Sequence, residues 1–84
     1  MKQIRLTKHA SLQCSERGTN EQEVQETIQF GSHELAKKGR IAFRMNFTFN
    51  DIWQGTFYPI KQVMPIVAEE ETELVVVTVY TFFF

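Results

Sequence analysis

Apolar residues recur along this chain with two different periods, and the change of period divides it. Around Thr7 to Gly18 the spacing is helical, with Leu6, Ala10, Cys14 and the stem of Arg17 on one side. Thr7 suits an N-cap and Gly18 a C-terminal stop, so both ends of a short helix are signalled. A second helix starts at Thr19–Asn20, where Thr19 with Gln22, or Asn20 with Glu23, has capping-box spacing. Val24 and Ile28 lie one turn apart on its apolar side, and Gly31 is expected to close it as a left-handed cap. Before both helices, Gln3 to Leu6 fits a short edge strand.

From His33 onward the period shortens. Lys37-Lys38-Gly39-Arg40 reads as a turn in which Gly39 takes positive φ. Arg40 to Phe49 then alternates: Ile41, Phe43, Met45, Phe47 and Phe49 point one way, Arg40, Ala42, Arg44, Asn46 and Thr48 the other. Asn50-Asp51 is expected to break that strand, and Gly55 and Pro59 to keep the next stretch irregular. Val63 to Ala68 reads as a further strand, at an edge or a bulge because of Pro65. After the acidic turn Glu69 to Glu73, Leu74 to Tyr80 is nearly continuous in β-branched residues, as in a central strand. Val75, Val77 and Val79 are placed on its core side. Helices first and strands after predict an α+β fold, a helical hairpin packed on one face of a four- to five-stranded antiparallel sheet.

Composition narrows the class. Eighty-four residues form one domain, and 43% hydrophobic content with eight Phe is enough for a core. No long apolar run suggests a membrane span or a signal peptide, and a cytoplasmic protein is the simplest expectation. Cys14 is the only cysteine, which leaves no disulfide framework, and two His with scattered acids give no metal spacing. Neither a metal nor a cofactor is therefore expected. The net charge of −1 is unevenly spread. Residues 1–44 hold eight of the nine basic groups against five acids, and residues 45–84 hold Lys61 against the other five. An anionic partner should meet the first half.

Several residues carry candidate chemistry. His9, on the first helical turn, is a proton-transfer group placed with Gln13 and Glu16 on a polar stripe. A half-exposed histidine at a helix end explains the same position without function. Arg17 can lay its methylenes on the core and hold its guanidinium at the margin. Arg40 and Arg44 share one strand face about 13 Å apart, with Lys37 and Lys38 at the turn beside them. Arginine grips phosphate with two parallel hydrogen bonds, so Lys37, Lys38 and Arg40 are candidate RNA-binding groups and Arg44 a candidate to hold the reacting phosphate. Charges on a solvated sheet explain them equally well. Thr78 and Tyr80 are hydroxyls on an otherwise apolar strand and need partners or a cleft. Phe82-Phe83-Phe84 is expected to pack against Trp53 or Phe57, or with Trp53 against another subunit.

His9-Ala10, Glu16-Arg17-Gly18, a second helix with Val24 and Ile28 that ends at Gly31, and Val76-Val77-Thr78-Val79-Tyr80 together resemble the domain of unknown function 4258 family. That family is similar to the RelE/barnase/EndoU/colicin group of small metal-independent ribonucleases, many of them toxins. The resemblance spans about Ile4 to Tyr80 and rests on short motifs in the right order. It implies a RelE-like fold and a site built from His9, Arg17, a strand arginine (Arg44 or Arg40) and Thr78 or Tyr80. It also implies attack of a 2′-hydroxyl on the adjacent phosphorus, RNA as substrate and a cognate antitoxin as partner. Asn46 to Gln62 is longer and more aromatic than that pattern, and the acidic second half departs from a basic ribonuclease. The competing expectation is a non-catalytic interaction or oligomerisation module of the same fold.

Overall fold

The computed structural model describes residues 2–84. Strand β1 (Gln3–Leu6) leads into helix α1 (Lys8–Glu16) and helix α2 (Glu21–Phe30). Strands β2 (Ser32–Leu35), β3 (Ile41–Trp53), β4 (Thr56–Glu69) and β5 (Glu73–Phe83) follow, with one 3-10 turn at Lys37–Gly39. The helix ends obey their local chemistry. Thr7 Oγ1 accepts from the Ala10 N–H at 3.1 Å, and Asn20 Oδ1 accepts from the Glu23 N–H at 2.8 Å. Gly18 turns the chain out of α1 at φ +74°.

Gly31 does not act as the expected left-handed cap. Its backbone is extended (φ −80°, ψ 173°). A Cβ there would meet the Arg44 carbonyl oxygen and lie 2.6 Å from that of Thr27, so glycine is needed for close approach of the α2 end to β3.

The five strands form one sheet in the order β1-β5-β4-β3-β2. It is mixed, not wholly antiparallel: β1 lies parallel to β5, with Leu6 opposite Val76, while the other pairs are antiparallel. Hairpin-type turns fix only antiparallel neighbours. The first strand instead joins the last, where Lys2 and Arg5 bond Glu69 and Glu73 at 3.1 and 3.0 Å. The α+β class and the two helices on one face stand as expected.

Strand β3 continues past Asn50-Asp51, which form a bulge with Asn50 at φ 46° rather than a break. Gln54-Gly55 then turns straight into β4, so the stretch expected to be irregular is the distal half of a long hairpin. Pro65 sits in central β4, not at an edge, and is fully buried opposite Val79. A second bulge between Ile66 and Val67 shifts the β5 register. Val76 and Val79 therefore both reach the core, while Val75 turns to the other face, contrary to strict alternation.

Ala10, Cys14, Val24 and Ile28 of the helices pack on Val63, Val67, Val76 and Val79 of the sheet. The opposite sheet face carries no helix. Register places Ala42, Ile66 and Thr78 side by side on it, then Met64 with Tyr80, and Gln62 with Asn46 and Phe82.

Candidate functional site

On this open face the turn after β2 curls over the sheet and forms a cleft. It holds about 260 Å³ and is lined by Ala36, Lys37, Lys38, Arg40, Ile66, Thr78 and Tyr80. Lys38 (φ 63°) and Gly39 (φ 70°) are both left-handed, and this double twist carries the three cations round onto the Thr78–Tyr80 strand. Ala36 and Ile66 are the apolar part of the lining. No carboxylate lines it.

The pairing of the basic groups sharpens this. Lys2, Arg5, Arg44 and Lys61 form ion pairs with Glu69, Glu73, Glu34 and Glu23. Among the described residues, Lys37, Lys38 and Arg40 have no carboxylate partner, and all three line the same cleft. Arg17 does not line the cleft but touches one of its residues. Its guanidinium donates to the Val79 carbonyl at 2.8 Å and lies 5.1 Å from the centre of the Tyr80 ring. The stem thus sits at the core margin while the charge rests on a cleft residue.

Arg44 shares the open face but is held away from the cleft. Its Nε donates to Glu34 at 3.0 Å and its Nη1 to Gln62 Oε1 at 3.0 Å, and Gln62 in turn donates to Asn46 at 2.9 Å. His9 is exposed on α1, which packs on the other face of the sheet, and it is not part of the lining. The structure therefore brings together Lys37, Lys38, Arg40, Thr78 and Tyr80, sets Arg17 against the Tyr80 ring without lining the cleft, and leaves out Arg44 and His9.

Gln13, read as part of the exposed stripe with His9, is buried. Its Oε1 accepts from the Val79 N–H at 2.9 Å. Gln13 and Arg17 together occupy both polar groups of Val79, which places the Arg17 charge at the Tyr80 ring. No pattern in the sequence identifies Gln13, because an i, i+4 polar pair facing a strand edge looks like one facing water. The apolar lining residue Ile66 was not singled out from the sequence, and its period-two relation to Gln62 and Met64 is the signal that could have placed it on this face.

Comparison of the chain with protein-family models, curated proteins and solved structures returns no match. The functional reading thus rests on the geometry of the cleft. The open face joins local positive charge, two hydroxyls and exposed rings. No helix of the described residues is long and apolar enough to cross a membrane.

Proposed function

We propose that the cleft binds the phosphodiester backbone of RNA. The observation that carries this reading is that the cations Lys37, Lys38 and Arg40, none of them in an ion pair among the described residues, line one cleft with Thr78 and Tyr80 and with no acid. Guanidinium and ammonium groups supply charge-assisted hydrogen bonds to phosphate oxygens, and the hydroxyls add neutral donors. The net charge of −1 does not oppose this, because screening limits the reach of distant charges to about 8 Å at physiological salt. The Glu69–Glu73 acids lie at the other end of β5, where Glu69 and Glu73 pair with Lys2 and Arg5.

Binding of a labelled single-stranded RNA, followed by anisotropy across a salt series, tests the reading. Affinity should fall with salt, with a log–log slope of about −0.7 per phosphate engaged. Arg40→Ala and Lys37→Ala should each weaken binding and flatten that slope, while Lys8→Ala should not. A flat salt response in the wild type would exclude a phosphate site.

Cleavage is the second reading, favoured by the two hydroxyls that share the cleft with the cations. In it the RNA 2′-hydroxyl gives its proton to water and attacks the adjacent phosphorus. The bond to the 5′-oxygen breaks as that oxygen takes a proton from water, leaving a 2′,3′-cyclic phosphate and a 5′-hydroxyl. Lys37, Lys38 and Arg40 offset the charge that develops on the phosphoryl oxygens, while Thr78 and Tyr80 orient the group. The chain is then a RelE-like, toxin-type ribonuclease of the cytoplasm, and a cognate antitoxin is the partner that covers the cleft. His9 lies outside this arrangement, so His9→Ala should cleave as fast as wild type and Arg40→Ala should not. Loss of cleavage in His9→Ala with Arg40→Ala active would reverse the assignment.

A further inference from the structure

Tyr80, Phe82 and Phe84 alternate along the end of β5, and alternation places them on one face. Strand pairing continues to the last residue, since Phe84 and Ile60 exchange both backbone hydrogen bonds. Register with Met64 and Gln62 puts Tyr80 and Phe82 on the open face. The three side chains are 40%, 44% and 54% exposed. Phe83 points the other way and is used internally, against Trp53, Phe49 and Tyr58. Among the described residues, Phe82 and Phe84 make no ring contact.

We propose that this stripe is a stacking platform for the bases of single-stranded RNA, whose phosphates enter the adjoining cleft. The proposal rests on the reading of the cleft as a phosphodiester site and names the form of RNA that it takes. Rings two residues apart on a strand recur about every 6.6 Å, close to one nucleotide step of an extended single strand. Unpaired bases present their faces to aromatic side chains, whereas a duplex hides them.

Charge also favours this occupant. Tyr80 belongs to both features, so the stripe begins at the cleft that holds Lys37, Lys38 and Arg40. Gln62 lies opposite Phe82, linked to Arg44 and Asn46, and offers hydrogen-bonding groups beside a stacked base. A second copy would bring the same cations to this face and gains no charge complementarity.

The test compares wild type, Phe82→Leu and Phe82→Tyr by anisotropy on a labelled oligouridylate and on a blunt RNA duplex of equal length. Thermal melting confirms that each variant is folded, and sedimentation gives its oligomeric state. Phe82→Leu should weaken single-strand binding about tenfold, the loss of one stacked base. Its salt slope should stay unchanged, because the phosphate contacts remain. Phe82→Tyr should restore affinity, and the duplex should bind the wild type at least about tenfold more weakly than the single strand. Equal single-strand affinity of Phe82→Leu and wild type, with salt dependence intact, overturns the platform and leaves the phosphate site standing. Equal affinity for duplex and single strand does the same. A wild-type dimer that Phe82→Leu dissociates shows a second copy on the stripe and also overturns it. Absence of any salt-dependent RNA binding removes the phosphate reading and the platform together.

Discussion

Lys61 shows how one charged residue is accommodated inside so small a fold. Its ammonium is buried between the helical layer and the sheet, bonded to Glu23 at 2.6 Å and to the Gly18 carbonyl at 2.9 Å. The Phe49 ring lies 5.5 Å from it, and Thr19 donates to the same Glu23 oxygen at 2.8 Å. Removing one partner of a buried pair leaves the other uncompensated. Lys61→Met should therefore destabilise by roughly 3 kcal/mol in urea unfolding. The double variant Lys61→Met/Glu23→Gln should lose clearly less than the sum of the single changes, and strict additivity would show that the pair is not coupled. Cys14 illustrates burial acting on a neutral group. Desolvation pushes its thiol above the ordinary value, and the Glu21 and Glu23 carboxylates add to the effect. Below the ordinary thiol pKa the group is protonated whether folded or unfolded, and its contribution is fully present. Above it the unfolded thiol ionises first, so stability is lost as pH rises through the raised folded value. The urea midpoint of the wild type should drop on the alkaline side more steeply than that of Cys14→Ala. Coincident curves would show that the thiol is not linked to folding.

Among the elements, α1 has two roles, packing on the sheet and completing one of its edges. Strand β1 covers β5 only from Glu73 to Val76, and the ladder extends one step further through the Thr7 N–H to the Val76 carbonyl. Beyond that point α1 takes over: Gln13 accepts from the Val79 N–H, Arg17 donates to its carbonyl, and Thr81 donates to the Arg17 carbonyl. One helical turn separates Gln13 from Arg17 and matches the two polar groups of a single strand residue. Gln13→Leu strands the buried Val79 N–H and should cost about 2 kcal/mol, with faster hydrogen exchange at that amide. Unchanged exchange would mean that the bond does not protect the edge. This edge also explains what sequence alone could convey. Caps at Thr7 and Asn20, the Val24–Ile28 stripe and the Arg40–Phe49 alternation are local and were readable. The parallel β1–β5 pair and the burial of Gln13 depend on partners more than 60 residues distant, and the bulge that turns Val75 away from the core depends on the register with β4, so nothing local encodes them. The same holds for the site. Lys37, Lys38, Arg40, Thr78 and Tyr80 were singled out by residue type and face, but only the tertiary fold decides that they meet and that His9 stays on the helical layer.

At the scale of the molecule, the two faces of the C-terminal segment have separate uses. The β3–β4 hairpin extends a fold whose longest dimension is 41 Å, and an arm of that length needs an anchor. Phe83 provides it: Trp53 stacks on its ring at 4.9 Å, Phe49 meets it edge-on at 5.0 Å and Tyr58 lies at 5.8 Å. Trp53 also closes over Gly18, where an added Cβ would lie 2.8 Å from the indole, so the hairpin tip is tied to the end of α1. Phe82 and Phe84, on the alternate positions, take no part in this cluster. If that division is right, neighbouring aromatic residues must respond oppositely to removal. Phe83→Ala opens a void beneath the indole and should cost about 3 kcal/mol, with the Trp53 emission shifted to longer wavelength as water reaches it. Phe82→Ala removes an exposed ring with no ring partner and should cost about 1 kcal/mol or less, leaving the emission in place while RNA affinity falls. Equal stability losses in the two variants, or an emission shift in Phe82→Ala, would show that both faces hold the arm, and that the open stripe is part of the core instead of a surface kept free for a ligand.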